Sequence, residues 1–387
     1  MSSDVMGKIK PLTPGQEEMY KALTDKSYEV LGFFGPTGTG KSLFSLTYGV
    51  HCVLTGEYRR FIIIKPVVDI TTGEEITIAK ASAAFIEAVK NYMQDVLGGV
   101  VEWSQLEGLL GSKVMIADSH YLRGRTFDNA VIFIDDIQLM KPETIIEAIV
   151  RVGQNSRLIV AGDPIFQALR DVQSDPAALI REVLLSEEKS HVVDLGIKDI
   201  VRDGAKRGLR FLLEYKLRAR TMNDEEKKVY DIIKAKAPDA DVVTIVDVTA
   251  YKQSYEVSSE HVPDALVIAK QGHLGRVVGK GGERINLAEK ELNKKLRAVE
   301  LNLDFKELVK ALHPTAWIWK HIEEVDFAGP NLQLKIYEDV IGATVGQKGA
   351  YVRFLDAVMR KLLGIGVRII AIERPRARHE KKKKKPK

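Results

Sequence analysis

Residues Gly35-Pro36-Thr37-Gly38-Thr39-Gly40-Lys41-Ser42 fit the pattern G-x-x-x-x-G-K-[ST] without a mismatch. The pattern works only as a turn between a strand and a helix, where backbone N–H groups converge on a phosphate. The apolar run from Val30 to Phe34 before it reads as that strand, and the residues from Lys41 to Leu54 read as that helix. This constrains the first half of the chain to an α/β fold with a parallel sheet. Gly35, Pro36, Thr37, Gly38, Thr39 and Gly40 would cradle a nucleoside triphosphate, with Lys41 on the β- and γ-phosphates and Ser42 on magnesium.

The flanking sequence supplies partners for such a loop. Thr13 and Pro14 start a helix on whose first turn Gln16 is placed either to read an adenine edge or simply as a surface residue. Phe61 to Ile64 form a continuous apolar run, the mark of a parallel strand covered on both faces, and Lys65 stands at its carboxyl end. Ile78 to Leu97 read as a helix whose Phe85, Val89 and Tyr92 are core. Ala130 to Ile134 read as a strand delivering Asp135 and Asp136 to its end. Asp135 is assigned to magnesium through water, Asp136 to the lytic water, and Gln138 to sensing the γ-phosphate or that water. Asp163, closing the strand Arg157 to Gly162, is placed to sense the γ-phosphate or orient Lys41. Arg202, with Arg210 second, is the candidate cation for the transferred phosphoryl group, of the kind often supplied across a subunit boundary. Arg123 and Arg125 flank Gly124 in a loop and suit a phosphate of nucleotide or nucleic acid, or equally a surface ion pair.

At 387 residues the chain predicts two or three domains. No run of eighteen apolar residues suggests a membrane span, and the start lacks the apolar core of a secretory signal, so a cytoplasmic location is expected. The single cysteine, Cys52, reads as a buried thiol. The net charge of +5 is unevenly distributed, because residues 374–387 form a nearly all-basic tail with nothing to bury, expected to be disordered and attracted to polyanions.

Beyond Pro238 the character changes, and two segments can be laid over each other. Each reads as strand, short helical turn, G-x-x-G loop, amphipathic helix, strand. The loops are Gly279-Lys280-Gly281-Gly282 and Gly346-Gln347-Lys348-Gly349. Paired glycines let the backbone approach a phosphodiester closely, as in loops that clamp a few nucleotides of a single strand. Trp317 and Trp319 read chiefly as packing between two small domains.

In these motifs, taken with Lys10-Pro11-Leu12-Thr13-Pro14-Gly15-Gln16, Ile64-Lys65-Pro66, Tyr121-Leu122-Arg123-Gly124-Arg125-Thr126 and Gly162-Asp163-Pro164, the chain resembles the PhoH-like P-loop ATPases, related to superfamily 1 helicase cores. Residues 260–373 look like tandem KH domains. The arrangement resembles archaeal proteins in which a PIN nuclease domain precedes such an ATPase, some described as hexameric motors that migrate Holliday junctions. No PIN domain is read here, so nuclease activity is not expected. The family's Asp-Glu is Asp135-Asp136 in this chain. Ile165 and Phe166 intervene before Gln167, so no role is assigned to Gln167. The family's Asp-x-Val-Arg arginine falls on Arg202.

The expected organisation is a PhoH-like, RecA-like ATPase domain over 8–237, KH domains over 238–312 and 313–373, and the basic tail. The expected function is a Mg2+-dependent ATPase that binds DNA or RNA and translocates on it, unwinds it or branch-migrates it as a ring, with a hexamer the expected assembly. The alternative is an RNA-binding regulatory ATPase without translocation.

Overall fold

A computed structural model describes residues 4–68, 75–76, 78–118, 125–167 and 172–374. Arg123 and the tail beyond residue 374 lie outside these. The chain divides into two compact units. The first comprises Met1–Arg220 with Asp326–Asn331 and Leu362–Ile365, and the second comprises the remaining segments.

In the first unit the strands are β1 (Val30–Phe34), β2 (Arg60–Ile64), β3 (Val67–Val68), β4 (Glu75–Ile76), β5 (Val114–Ala117), β6 (Ala130–Ile134), β7 (Arg157–Gly162) and β8 (Ser190–Asp194). Six form one sheet in the order β5-β2-β6-β7-β1-β8, parallel throughout, while β3 and β4 pair as a small antiparallel ribbon. The helices are α1 (Pro14–Thr24), α2 (Lys41–Thr55), α3 (Ile78–Leu97), α4 (Trp103–Glu107), α5 (Pro142–Val150), α6 (Pro176–Leu185) and α7 (Asp203–Ala219).

Because side chains alternate along a strand, the continuous apolar runs feed two cores at once. Leu31, Phe33, Phe61, Ile63, Val131 and Phe133 pack with Phe44 and Val50 of α2 and with Phe85 and Met93 of α3 on one face. Phe34, Ile62, Ile64, Ile132 and Ile134 pack with Ile145 of α5 and Ile180 of α6 on the other. Cys52 is buried in the first of these cores, as its setting suggested.

The second unit contains α8 (Asp224–Lys236), β9 (Val242–Asp247), α9 (Thr249–Ser254), β10 (Ala265–Ala269), α10 (Leu274–Val278), α11 (Glu283–Leu292), β11 (Leu296–Glu300), α12 (Phe305–Leu312), α13 (Ile341–Val345), β14 (Gly366–Ile372) and the greater part of β12 (Ile322–Ala328), β13 (Asn331–Tyr337) and α14 (Ala350–Leu363). Two three-stranded sheets result, β11-β10-β9 and β12-β13-β14. The central strands are β10 and β13, and each leads through a short helix and a glycine loop into a longer helix.

The sequence placed a boundary at residue 237, but the structural division falls between Arg220 and Thr221. The reason is packing: Val229 and Ile233 of α8 are buried with Val242 and Ile245 of β9 and Ile285 of α11. Trp317, expected inside a packing seam, is half-exposed and stands edge-on to His321.

Glu226 fixes this second unit from within. It is fully buried, accepts from the Asn223 and Asp247 N–H groups, and pairs with Lys361 Nζ at 2.8 Å, joining α8, β9 and α14. Glu226→Ala leaves the Lys361 ammonium without its carboxylate, and is expected to lower the stability of this unit by about 3 kcal/mol in a denaturant titration.

Candidate nucleotide site and nucleic-acid loops

The strand order decides what meets at the sheet's carboxyl edge. With β7 between β6 and β1, the ends of β1 and β6 are separated by two strand spacings, about 10 Å. Gly35 follows β1, Asp135 and Asp136 follow β6, and Asp163 follows β7. Lys65 follows β2, the other neighbour of β6.

Gly35 has φ 154° and lies so close to β8's exit that a Cβ would stand 2.4 Å from the Leu195 carbonyl. Gly40, at φ 95° and ψ 0°, precedes α2 in the left-handed region and provides no side-chain cap. The first N–H groups of α2 are thus left for a ligand, at the positive end of the helix. Lys41 is buried and folds back on the loop, donating to the Gly35 and Pro36 carbonyls at 2.6 and 2.9 Å. Burial pushes its pKa below the ordinary lysine value, which Asp163, Asp135 and Asp136 partly offset.

Ser42 Oγ donates to Asp135 Oδ2 at 2.9 Å, bringing together the two residues assigned to magnesium. The same carboxylate oxygen accepts from Tyr92 OH and lies 3.4 Å from Lys65 Nζ, which also sits 2.5 Å from Asp136 Oδ2 and 4.1 Å from the centre of the Tyr92 ring. Burial raises the Asp136 pKa, but the Lys65 ammonium, together with Gln138 and Lys41, outweighs this and holds it below the usual carboxylate range. Asp136 also adopts φ 51°, a left-handed conformation uncommon outside glycine. Its neighbours hold it there: besides Lys65, Gln138 Nε2 donates to Asp136 Oδ1 at 3.1 Å.

Gln138 is the hub of this edge. Its Oε1 accepts from the Asp163 N–H at 3.1 Å, and its Nε2 reaches Gln167 Oε1 at 3.0 Å. Gln167 in turn donates to the Thr37 hydroxyl of the loop. A hydrogen-bonded path therefore runs from Asp136 through Gln138 and Gln167 to the loop, and includes a residue to which the sequence assigned no role. Asp163 Oδ1 accepts from the Ile165 and Phe166 N–H groups at 3.1 and 2.9 Å, while its buried Oδ2 has no partner among the described residues. Burial raises its pKa, opposed by Lys41.

Three residues have partners that the sequence did not announce. Gln16 is buried, accepting from the Leu12 N–H at 2.8 Å and donating to the Thr39 carbonyl at 3.0 Å, so it braces the loop instead of standing open to a base or lying on the surface. Arg202, the candidate cation for the transferred phosphoryl group, lies beside its own chain's loop: its Nε is 3.7 Å from where a Gly38 Cβ would stand, and the next residue back, Val201, donates its N–H to the Gly38 carbonyl at 3.1 Å. Tyr92 packs against the core as read, and its hydroxyl in addition donates to Asp135. Arg210 is eight residues further along α7, roughly 12 Å by helical rise, stacked over Phe211 at 5.6 Å. Arg125 is exposed.

The donor set suits a hard cation that keeps most of its ligands as phosphate and water oxygens: one hydroxyl, one carboxylate, and no cluster of three or more His, Cys, Asp or Glu among the described residues.

The two glycine loops of the second unit have one backbone. Gly279 and Gly346 have φ/ψ of 77°/172° and 73°/171°. Gly281 and Lys348 follow at φ 63° and 49°, then Gly282 and Gly349 at 82° and 77°. Lys280, Gln347 and Lys348 are exposed.

Residues 8–214, more than half of the chain, match a family model described as PhoH-like protein. The chain belongs to the PhoH-like family. A KH domain model matches residues 244–326, so the PhoH-like domain, a P-loop NTPase, is joined in one chain to a KH-type domain. A PhoH-like protein of Bacillus subtilis is 28% identical over 52% of this chain and 63% of its own length, and one from Synechocystis is 26% identical over 50% and 58%. The chain thus spans less than two thirds of these PhoH-like relatives. Among solved structures, the large terminase from a thermophilic bacteriophage, in complex with ADP, shows a TM-score of 0.31 at 15% identity, over 51% of this chain and 50% of the other.

Two outcomes follow. Lys65→Met removes the cation that neutralises Asp135 and Asp136, so the variant is expected to bind Mn2+ without nucleotide roughly tenfold more tightly than wild type, read by the loss of free-ion EPR signal; unchanged binding would contradict the arrangement. Asp175 caps α6 through the Ala177 and Ala178 N–H groups, and burial pushes its pKa from 3.8 up to about 6. A folded-state pKa above the unfolded one means stability is lost as pH rises from about 4 through about 6. Asp175→Asn keeps the cap without the charge. It should match wild type near pH ~4 and exceed it by roughly 1–3 kcal/mol above pH ~7 in denaturant titrations.

Proposed function

We propose that this chain is a Mg2+-dependent ATPase that grips a single strand of nucleic acid in its KH-type unit and uses turnover to move along or displace that strand. The observation that carries the proposal is the single hydrogen-bonded network joining loop, lysine, acidic pair and Gln138, in a chain that also holds two G-x-x-G loops of one geometry. In this reading the two loops belong to tandem KH domains, and the protein works as a ring.

Lys41 leaves the Gly35 and Pro36 carbonyls to meet the β- and γ-phosphates, exchanging neutral acceptors for charged ones. Ser42 and Asp135 would hold the metal, Asp135 through water; magnesium, when bound, would neutralise charge developing on the phosphate oxygens. Asp136, kept ionised by Lys65, accepts the proton of the attacking water, and Gln138 orients both partners. Asp163 Oδ2, without a partner among the described residues, is left to orient Lys41 or a water. Arg202 adds positive charge at the loop of its own chain, which distinguishes this reading from an arginine supplied by a neighbour.

A regulatory RNA-binding ATPase without movement is the second reading. It is favoured by the KH match alone, since KH loops take single strands.

Phosphate release is expected to rise with single-stranded RNA or DNA and to fall at least about a hundredfold in Lys41→Ala. A tailed or branched duplex should be opened only with ATP; tight binding with no displacement of any duplex supports the regulatory reading instead. Because Arg202 lies on its own chain's loop, mixing Arg202→Ala with wild type should give activity in proportion to the wild-type fraction, whereas a steeper fall would place the arginine in trans.

A further inference from the structure

The two glycine loops share a backbone but not a chemical setting. Beside the first, Arg284 Nη1 lies 2.5 Å from Asp239 Oδ1 and 2.8 Å from the Arg276 carbonyl, so its charge is already neutralised. Beside the second, the Arg353 Nε lies 4.0 Å from where a Gly349 Cβ would stand, and among the described residues no carboxylate pairs with it. Its guanidinium lies over the ring of Tyr255 at 5.9 Å.

Tyr255 comes from the end of α9, which belongs to the other three-stranded module of the same unit. Its position is set by the rest of α9: Lys361 of α14 lies over Tyr251 at 5.7 Å while pairing with the buried Glu226. Both tyrosines thus face α14, and Tyr255 is held next to Arg353. The second loop also keeps an exposed lysine, Lys348, at φ 49°, where the first loop has Gly281. A β-carbon in that region costs about 1 kcal/mol that glycine would relieve, and such local strain is characteristic of ligand-binding positions.

We propose that Lys348, Arg353 and Tyr255 form a composite site for an unstacked polynucleotide strand, with the two cations on successive phosphates and the tyrosine ring as a shelf for a base, and that this second loop holds the strand more tightly than the first. The inference rests on the nucleic-acid reading above and adds which loop dominates and which side chains do it. A cation over an aromatic face is a platform on which any base can stack, and a flexible lysine beside a glycine-bounded backbone lets a phosphate approach closely.

The test is fluorescence anisotropy of the full chain with labelled oligo-U and oligo-dT of about twelve nucleotides, at about 50 and about 200 mM salt. Arg353→Ala is expected to weaken both oligonucleotides about tenfold and to lower the salt slope by about 0.7, one phosphate contact on a single strand. Tyr255→Ala is expected to weaken both roughly tenfold with the slope unchanged. Arg284→Ala should stay within about twofold of wild type. Circular dichroism and the denaturation midpoint of each variant separate lost contacts from lost folding. If wild type binds but Arg353→Ala and Tyr255→Ala stay within about twofold, or Arg284→Ala costs more than either, this assignment is wrong while the nucleic-acid reading stands. If wild type retains neither oligonucleotide at the lower salt, both fall together.

Discussion

Buried charge at the carboxyl edge of the parallel sheet is the constraint on which the nucleotide-binding half depends. Lys41, Asp135 and Asp163 are each less than a tenth exposed. Isolated charges in such a place cost several kcal/mol each, so they persist only by neutralising one another. Lys65 answers Asp135 and Asp136, Lys41 lies among the loop carbonyls within the field of the three carboxylates, and Ser42, Tyr92 and Gln138 occupy further lone pairs. In the proposed function each of these charged groups exchanges its present partner for phosphate or a divalent ion. An edge built from exchangeable partners is prepared for a ligand carrying both signs of charge.

The sheet supplies the rigidity this requires. Its four central strands are buried on both faces, so the ends of β2, β6, β7 and β1 form a fixed row from which short turns project Lys65, the acidic pair, Asp163 and the phosphate loop. Gln138 and Gln167 then tie three of those turns together by hydrogen bonds from neutral amides.

Much of this was legible in the sequence, for identifiable reasons. The G-x-x-x-x-G-K-S turn, the continuous apolar runs of β2 and β6, and the Thr13-Pro14 start of α1 are local signals, and the structure shows the turn, strands and helix they announce. Asp135 meeting Ser42 followed from motif logic. What escaped depended on tertiary neighbours. Tyr92 lies on a helix whose apolar spacing explains it fully as core, and only the packing of α3 near β6 reveals its hydroxyl on Asp135. Gln16 is on an amphipathic helix turn, and nothing local tells that its amide closes on Thr39. Arg202 follows a short linker, so its choice between its own loop and a neighbour's is a matter of chain path. The boundary after Arg220 was missed because α8, rich in charge, shows its apolar contacts only against β9 and α11.

The central claim is that these residues form one nucleotide site in which cations change partner. Its most direct measurement is a crystal structure with Mg2+ and a non-hydrolysable ATP analogue. The account predicts Lys41 Nζ and Arg202 of the same chain on the phosphates, the metal beside Ser42 and Asp135, and Lys65 withdrawn from Asp135. A structure with nucleotide bound while Lys65 keeps both carboxylates and Lys41 keeps the Gly35 and Pro36 carbonyls would contradict it.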